Sequence, residues 1–156
     1  MKLLVFLLAI AVVYGQNEKT CIHSNHDQIV ADKVVQKVYQ DMHKGRGPDE
    51  PISETDIAFE FVAKFNTDFN FLEVTRHEFI SRWEHVYRDV PGFAAYIFEH
   101  LDVTADGKLT VDDAAGVITA IDSNKDGVAT GREFELWMLD LYHNCREVGW
   151  YHGDKN

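Results

Sequence analysis

The chain has 156 residues, 46% of them hydrophobic and 26% charged, with 26 Asp and Glu against 15 Lys and Arg. That length and apolar share suffice for one domain with a real core and exclude a disordered chain. A net charge of −11 argues against nucleic-acid phosphates or anionic lipid as partners, since both need a basic face, and favours cations or basic partners.

The first fifteen residues differ from the rest. Lys2 precedes an unbroken apolar run from Leu3 to Val13, closed by Tyr14 and Gly15. A short basic start, an apolar stretch and a small closing residue describe a secretory signal peptide over 1–15, cut after Gly15. The run is shorter than the roughly 20 residues that cross a bilayer, so no membrane span is expected. Loss of Lys2 takes the exported chain, 16–156, to a net charge of −12. The expected location is secreted and extracellular. In that oxidising setting Cys21 and Cys145 read most simply as a disulfide, with two free buried thiols as the alternative. The bridge would close a loop of about 125 residues, worth about 5 kcal/mol in the chain-entropy picture. No Asn-x-Ser/Thr sequon occurs.

Helices separated by polar turns follow. Ile29, Val30, Val34, Val35, Val38, Tyr39 and Met42 give a helical stripe over 27–44, ended by Gly45-Arg46-Gly47-Pro48. Ser53 caps a second helix with Ile57, Ala58, Phe61, Val62 and Phe65 on its face. Thr75 and Glu78 form a capping box opening a third helix to about Arg88, with Phe79, Trp83 and Val86 inward. Asp89-Val90-Pro91-Gly92 breaks it, and a fourth helix carries Ala94, Ile97, Phe98 and Leu101. Thr110 and Asp113 cap a short fifth helix with Ala114, Val117, Ile118 and Ile121; Thr130 and Glu133 cap a sixth with Phe134, Trp137, Met138 and Leu141. Strand-like alternation is confined to two or three residues inside turns. The expected class is all-α with about six helices.

The turn 122–133 carries chemistry. Calcium takes six to eight oxygens, and a twelve-residue loop supplies them only when alternate side chains converge. Asp122, Asn124 and Asp126 stand at positions 1, 3 and 5. Gly127 at position 6 turns the chain at positive φ. Val128 at position 7 offers its backbone carbonyl, Thr130 at position 9 can hold a ligating water while capping the next helix, and Glu133 at position 12 is long enough to bind through both oxygens. These residues resemble the EF-hand family, whose ligand pattern they match at positions 1, 3, 5, 6, 9 and 12.

A second loop, 102–113, repeats the scaffold with Asp102, Thr104, Asp106, Gly107, Lys108 (through its carbonyl), Leu109 and Asp113. It departs from the family pattern twice. Thr104 is a neutral, weaker ligand at position 3, and Asp113 is one methylene shorter than Glu at position 12. A smaller six-coordinate site results, weaker for calcium and relatively kinder to magnesium. A third candidate, 66–78, imitates the first half with Asn66, Asp68 and Asn70 and the second with Val74, Thr75, Glu78 and Phe79. Its halves are one residue out of register, and Phe71 or Leu72 stands where Gly belongs. It reads as a degenerate hand without its metal. Asn66 and Asp102 lie 36 residues apart, the separation of paired hands in that family, and pairing sets Val74 beside Leu109.

Asp102 and Asp122 are only 20 residues apart, so the two calcium loops share one helix, about 111–121. That is unlike the usual four-helix pair. The close repeat and the Asp at position 12 also resemble dockerin modules, which lack the leading helix that Ala94, Ile97, Phe98 and Leu101 provide here.

Other chemistry is set aside. Eight histidines are many for this length, but His23 and His26 alone do not complete a zinc site. His77-Glu78 begins like a metalloprotease motif, yet Ser81 stands where the second His belongs. No nucleophile elbow or phosphate loop occurs, and no enzyme is expected. Phe61, Phe65, Trp83, Phe98, Phe134 and Trp137 read as core.

The resemblance implies an EF-hand domain over 53–145, preceded by a helical segment, 16–52, that it does not explain, and followed by a polar tail, 146–156. It implies one or two bound calcium ions and a structural or storage role. One alternative is a calcium-dependent interaction module for an extracellular protein or mineral matrix, with Trp150-Tyr151-His152 as its only hint. The other is a small enzyme or hydrophobic-ligand carrier, which needs an internal cavity.

Overall fold

A computed structural model describes residues 28–68 and 73–145. The expected signal peptide, Cys21, the centre of the degenerate loop (69–72) and the tail 146–156 lie outside the described residues. Six α-helices and one two-stranded sheet make up the described fold, so the mostly helical class holds.

Helix α1, Gln28–His43, buries Val34, Val35, Val38 and Met42. It stops where Lys44 and Gly45 both take positive φ. Ser53 caps α2, Glu54–Ala58, reciprocally with Asp56. The expected single helix from Ser53 does not stay α-helical. It widens to a π-helical turn, Phe59–Ala63, where the Lys64 amide reaches the Phe59 carbonyl. The widened turn brings Glu60 inside, 1% exposed. Lys64 Nζ satisfies it at 2.7 Å, Tyr87 donates to the same carboxylate, and Lys64 also reaches Asp41 of α1 at 2.8 Å. A buried carboxylate persists only when paired and hydrogen-bonded in this way.

Strand β1, Glu73–Thr75, leads into α3, Arg76–Tyr87, through the expected Thr75–Glu78 capping box. Arg88, at φ 56, ends α3. Tyr87 rather than Val86 takes the buried place, because its hydroxyl reaches Glu60. The expected break at 89–92 is shorter than four residues, since Pro91 opens α4, Pro91–Leu101, where a missing N–H costs nothing. Asp89 is buried in that joint and accepts hydrogen bonds from Trp83 Nε1 at 3.0 Å, Tyr142 at 2.5 Å and the Val90 amide at 2.7 Å.

Strand β2, Lys108–Thr110, is antiparallel to β1, with Val74 opposite Leu109 as the spacing predicts. The shared helix is shorter than expected. Its first turn, Val111–Asp113, is 3₁₀, and α5 proper is Ala114–Ile121. Helix α6, Gly131–Asn144, packs antiparallel on α1, with Gln36 opposite Glu135 and Tyr39 against Gly131. The six aromatic side chains read as core are buried except Trp137, which is partly buried at the core margin. Among the described residues no helix is long and apolar enough to cross a membrane.

Candidate metal-binding loops

Loops 102–113 and 122–133 flank α5 and are built almost bond for bond alike. In 122–133, Asp122 accepts from the amides of Asp126 (3.2 Å) and Gly127 (2.8 Å), and Asp126 accepts from the Val128 amide at 2.9 Å. In 102–113, Asp102 accepts from Asp106 (3.1 Å) and Gly107 (2.8 Å), and Asp106 from Lys108 at 3.0 Å. Gly127 and Gly107 take φ 89 and 84. Lys125 and Ala105, both at position 4, also take positive φ, a strained choice for residues with a Cβ. Sequence reading passed over position 4, because neither Lys nor Ala announces such a conformation.

The loops differ at position 3. Asn124 Oδ1 accepts from the Asp126 amide at 2.8 Å, whereas the Thr104 hydroxyl turns to Asp102 at 3.4 Å. At position 12 both carboxylates are buried and bridge loop and helix. Glu133 Oε2 accepts from Thr130 N and Oγ1, and its Oε1 from Asn124 N and Ser123 Oγ. Asp113 does the same with Thr110 on one oxygen and Thr104 N on the other. Burial pushes the Glu133 carboxyl up, but these hydrogen bonds outweigh it and hold it below the usual carboxylate range. Ser123 contributes a hydroxyl at position 2 that the ligand pattern had not singled out.

The degenerate loop keeps the same end-piece. Glu78 accepts from Thr75 N and Oγ1 on one oxygen and from the Thr67 hydroxyl, at 2.9 Å, on the other. Its loop hydroxyl lies eleven residues back, against ten for the Ser123 hydroxyl that reaches Glu133. That is the register slip read from sequence, in geometric form. Asn66 uses its amide nitrogen on the Glu73 carbonyl at 3.0 Å.

Asp122 Oδ1 and Oδ2 and Asp126 Oδ1 each hold one amide and keep a further lone pair, so a hard cation and those amides can share them. Among the described residues no three acidic, histidine or cysteine side chains already stand together as a metal-sized cluster. Glu133 and Asp113 face their helix caps, and closing on an ion requires each carboxylate to exchange hydrogen bonds for it. That arrangement is no obstacle in chemical kind, since the donor set is all oxygen and Gly127 and Gly107 already make the turn.

The remaining candidates find less support. His77, Ser81, Arg82 and His85 border an open concavity of about 410 Å³ on α3 without forming a metal cluster. Ile57, Phe61, Leu101 and Leu109 line a void of about 10 Å³, room for one water at most. No protein-family model, no curated protein and no solved structure matches this chain.

Proposed function

We propose that this chain is a secreted EF-hand protein that holds one calcium ion firmly at 122–133 and a second, weaker one at 102–113, in a structural or storage role. The observation that carries the reading is the repetition. Two loops of different sequence place a position-1 aspartate on the amides of positions 5 and 6, and a position-12 carboxylate between position 3 and a threonine cap. Asp122, Asn124, Asp126, Glu133 and the Val128 carbonyl would hold the first ion. Asp102, Thr104, Asp106, Asp113 and the Lys108 carbonyl would hold the second, where magnesium also fits. Extracellular modules work with Kd of about 10⁻⁴–10⁻³ M, so steady occupancy is expected and no switching.

Two features support export. The antiparallel packing of α1 on α6 turns the start of α1 toward the Cys145 end of α6, and Cys21 stands seven residues before Gln28 in the sequence. Cys145 is itself buried, and no cysteine among the described residues is free.

Calorimetric titration of the chain lacking residues 1–15 with calcium, then magnesium, tests the proposal. One or two calcium ions should bind, and Glu133→Gln should weaken the tighter one. Substituting a group that merely supports a metal ligand costs about 10–100-fold in affinity, so losing the ligand itself should cost at least about 100-fold. Silence at millimolar calcium, or an unchanged titration in the variant, would overturn the reading.

A calcium-dependent interaction module is the second reading. It is favoured by Val103, Val111 and Val128, which stand 50%, 57% and 41% exposed on the two loops and the turn beside them. Partner capture that persists in chelator would count against it.

A further inference from the structure

The segment before the helical domain holds the far side of loop 122–133. Ile52 N donates to the Ala129 carbonyl at 2.8 Å, beside Val128, and Pro51 bridges Thr130. The amides of Gly131 and Arg132, the first two of α6, lack partners in their own helix. They donate instead to the carbonyls of Glu50 (3.3 Å) and Pro48 (2.8 Å). Above this strap Tyr39 of α1 lies so close to Gly131 that a Cβ there would stand 2.5 Å from its Cε2 and Oη. The ring cannot simply swing away. Its hydroxyl donates to the Gly47 carbonyl at 3.1 Å and sits 2.9 Å from His43 Nδ1. With its one proton directed at Gly47, it accepts from the Nδ1–H tautomer of His43.

We infer that Tyr39 and the strap 48–52 are positioning elements for loop 122–133, doing for it what loop 66–78 does for loop 102–113, so that its calcium affinity is set partly by residues that touch no ligand. This rests on the calcium reading above. Loop 102–113 gains its neighbour through the Val74–Leu109 pairing, whereas Ala129, at the same loop position, pairs with Ile52. The strap thereby fixes the start of α6, and with it Glu133, relative to the carbonyl of Val128 and the front half of the loop. Coupling is reciprocal: if the strap favours the ion, the ion favours the strap.

Calcium titration of the purified chain and of Tyr39→Phe, Tyr39→Leu and Gly131→Ala, each first checked for native helicity in chelator, tests this. Tyr39→Leu and Gly131→Ala should weaken the tighter ion about tenfold, the lower end of what loss of a ligand's support costs. The weaker ion should be unmoved, a split that general destabilisation does not produce. Tyr39→Phe keeps the ring and should recover most of the loss. Hydrogen exchange at the Ile52 amide in the unsubstituted chain covers the case in which a variant fails to fold. That amide lies outside the loop and should slow with calcium, and the slowing should vanish in Glu133→Gln. Tyr39→Leu and Gly131→Ala variants that both bind like the parent, or an Ile52 amide indifferent to calcium, overturn the inference alone. A parent chain that takes up no calcium overturns the metal reading and this inference with it.

Discussion

Loops 102–113 and 122–133 sit at the two ends of one eight-residue helix and share their internal hydrogen bonds, yet they lean on different things. The first is braced across β1 and β2 by the strand that leads into α3. The second is braced by an unrelated strap that arrives from the turn after α1. The internal hydrogen bonding of each loop is local, written within twelve residues, whereas bracing is long-range and can be supplied by whatever chain passes by. The position-8 residues record this difference: Val74 and Leu109 fill their own bridge, while the small Ala129 has buried Ile52 beside it.

The largest test of that contrast truncates the two braces in turn. Leu109 is 1% exposed and Ile52 4%, and large-to-small changes at such sites cost about 2–5 kcal/mol. Leu109→Ala and Ile52→Ala should each lower the urea midpoint with an unchanged m-value. Their calcium titrations should part company, Leu109→Ala weakening the ion at 102–113 and Ile52→Ala the ion at 122–133. Equal losses at both loops from both variants would mean that the braces belong to one undivided core.

A smaller effect is expected from lengthening the position-12 side chain of loop 102–113. Asp113 reaches Thr104 N and Thr110 from a 3₁₀ turn, and a second oxygen on a cation asks more of it. Asp113→Glu should tighten calcium at 102–113 by about tenfold, a modest step within the several decades over which ligand charge and site rigidity tune such loops. It should also shift preference from magnesium towards calcium. An affinity that falls instead would mean that the buried position cannot take the added methylene.

Helices, caps and the Val74–Leu109 pairing were legible because each depends on short spacings: i, i+3, i+4 stripes, threonine with a carboxylate three residues on, and a 36-residue offset between Asn66 and Asp102. The candidate ligands of 122–133 and 102–113 were named from the same kind of short spacing; the turns at Gly127 and Gly107 form as that order suggests, while among the described residues no three acidic side chains stand together as a metal-sized cluster. Three features were not. Glu60 is buried without a sequence signal, because nothing in its neighbours marks a π-helical turn; the nearest hint is the Glu60–Lys64 spacing. The bracing of Ala129 by Ile52 joins residues 77 positions apart, beyond any periodicity. Gly131 at the start of α6 carries no signal of its own, and only the approach of Tyr39 gives it a reason.

The smallest effect concerns how the strap is fastened at its near end. Arg46 donates to the carbonyls of His43 and Pro51 and pairs with Asp56 at 2.7 Å, so one guanidinium ties the end of α1, the strap and the start of α2 together. Partial burial pushes the Asp56 carboxyl up, but its bonds with Arg46 and Ser53 outweigh that and hold it below the usual range. A carboxylate with a depressed folded pKa stabilises the fold above its unfolded pKa, near 4, and that contribution fades as the pH falls through the lower folded value. Because the pair is partly open to solvent, its worth is about 0.5–1 kcal/mol. Asp56→Asn should therefore cost that much at pH 7 and progressively less on going from pH 5 towards pH 2, so that the stability curves of parent and variant, measured by urea unfolding in chelator, converge in acid. The same substitution should leave the brace across β1 and β2 untouched, and parallel curves at every pH would mean that the Arg46–Asp56 contact contributes nothing to holding the strap.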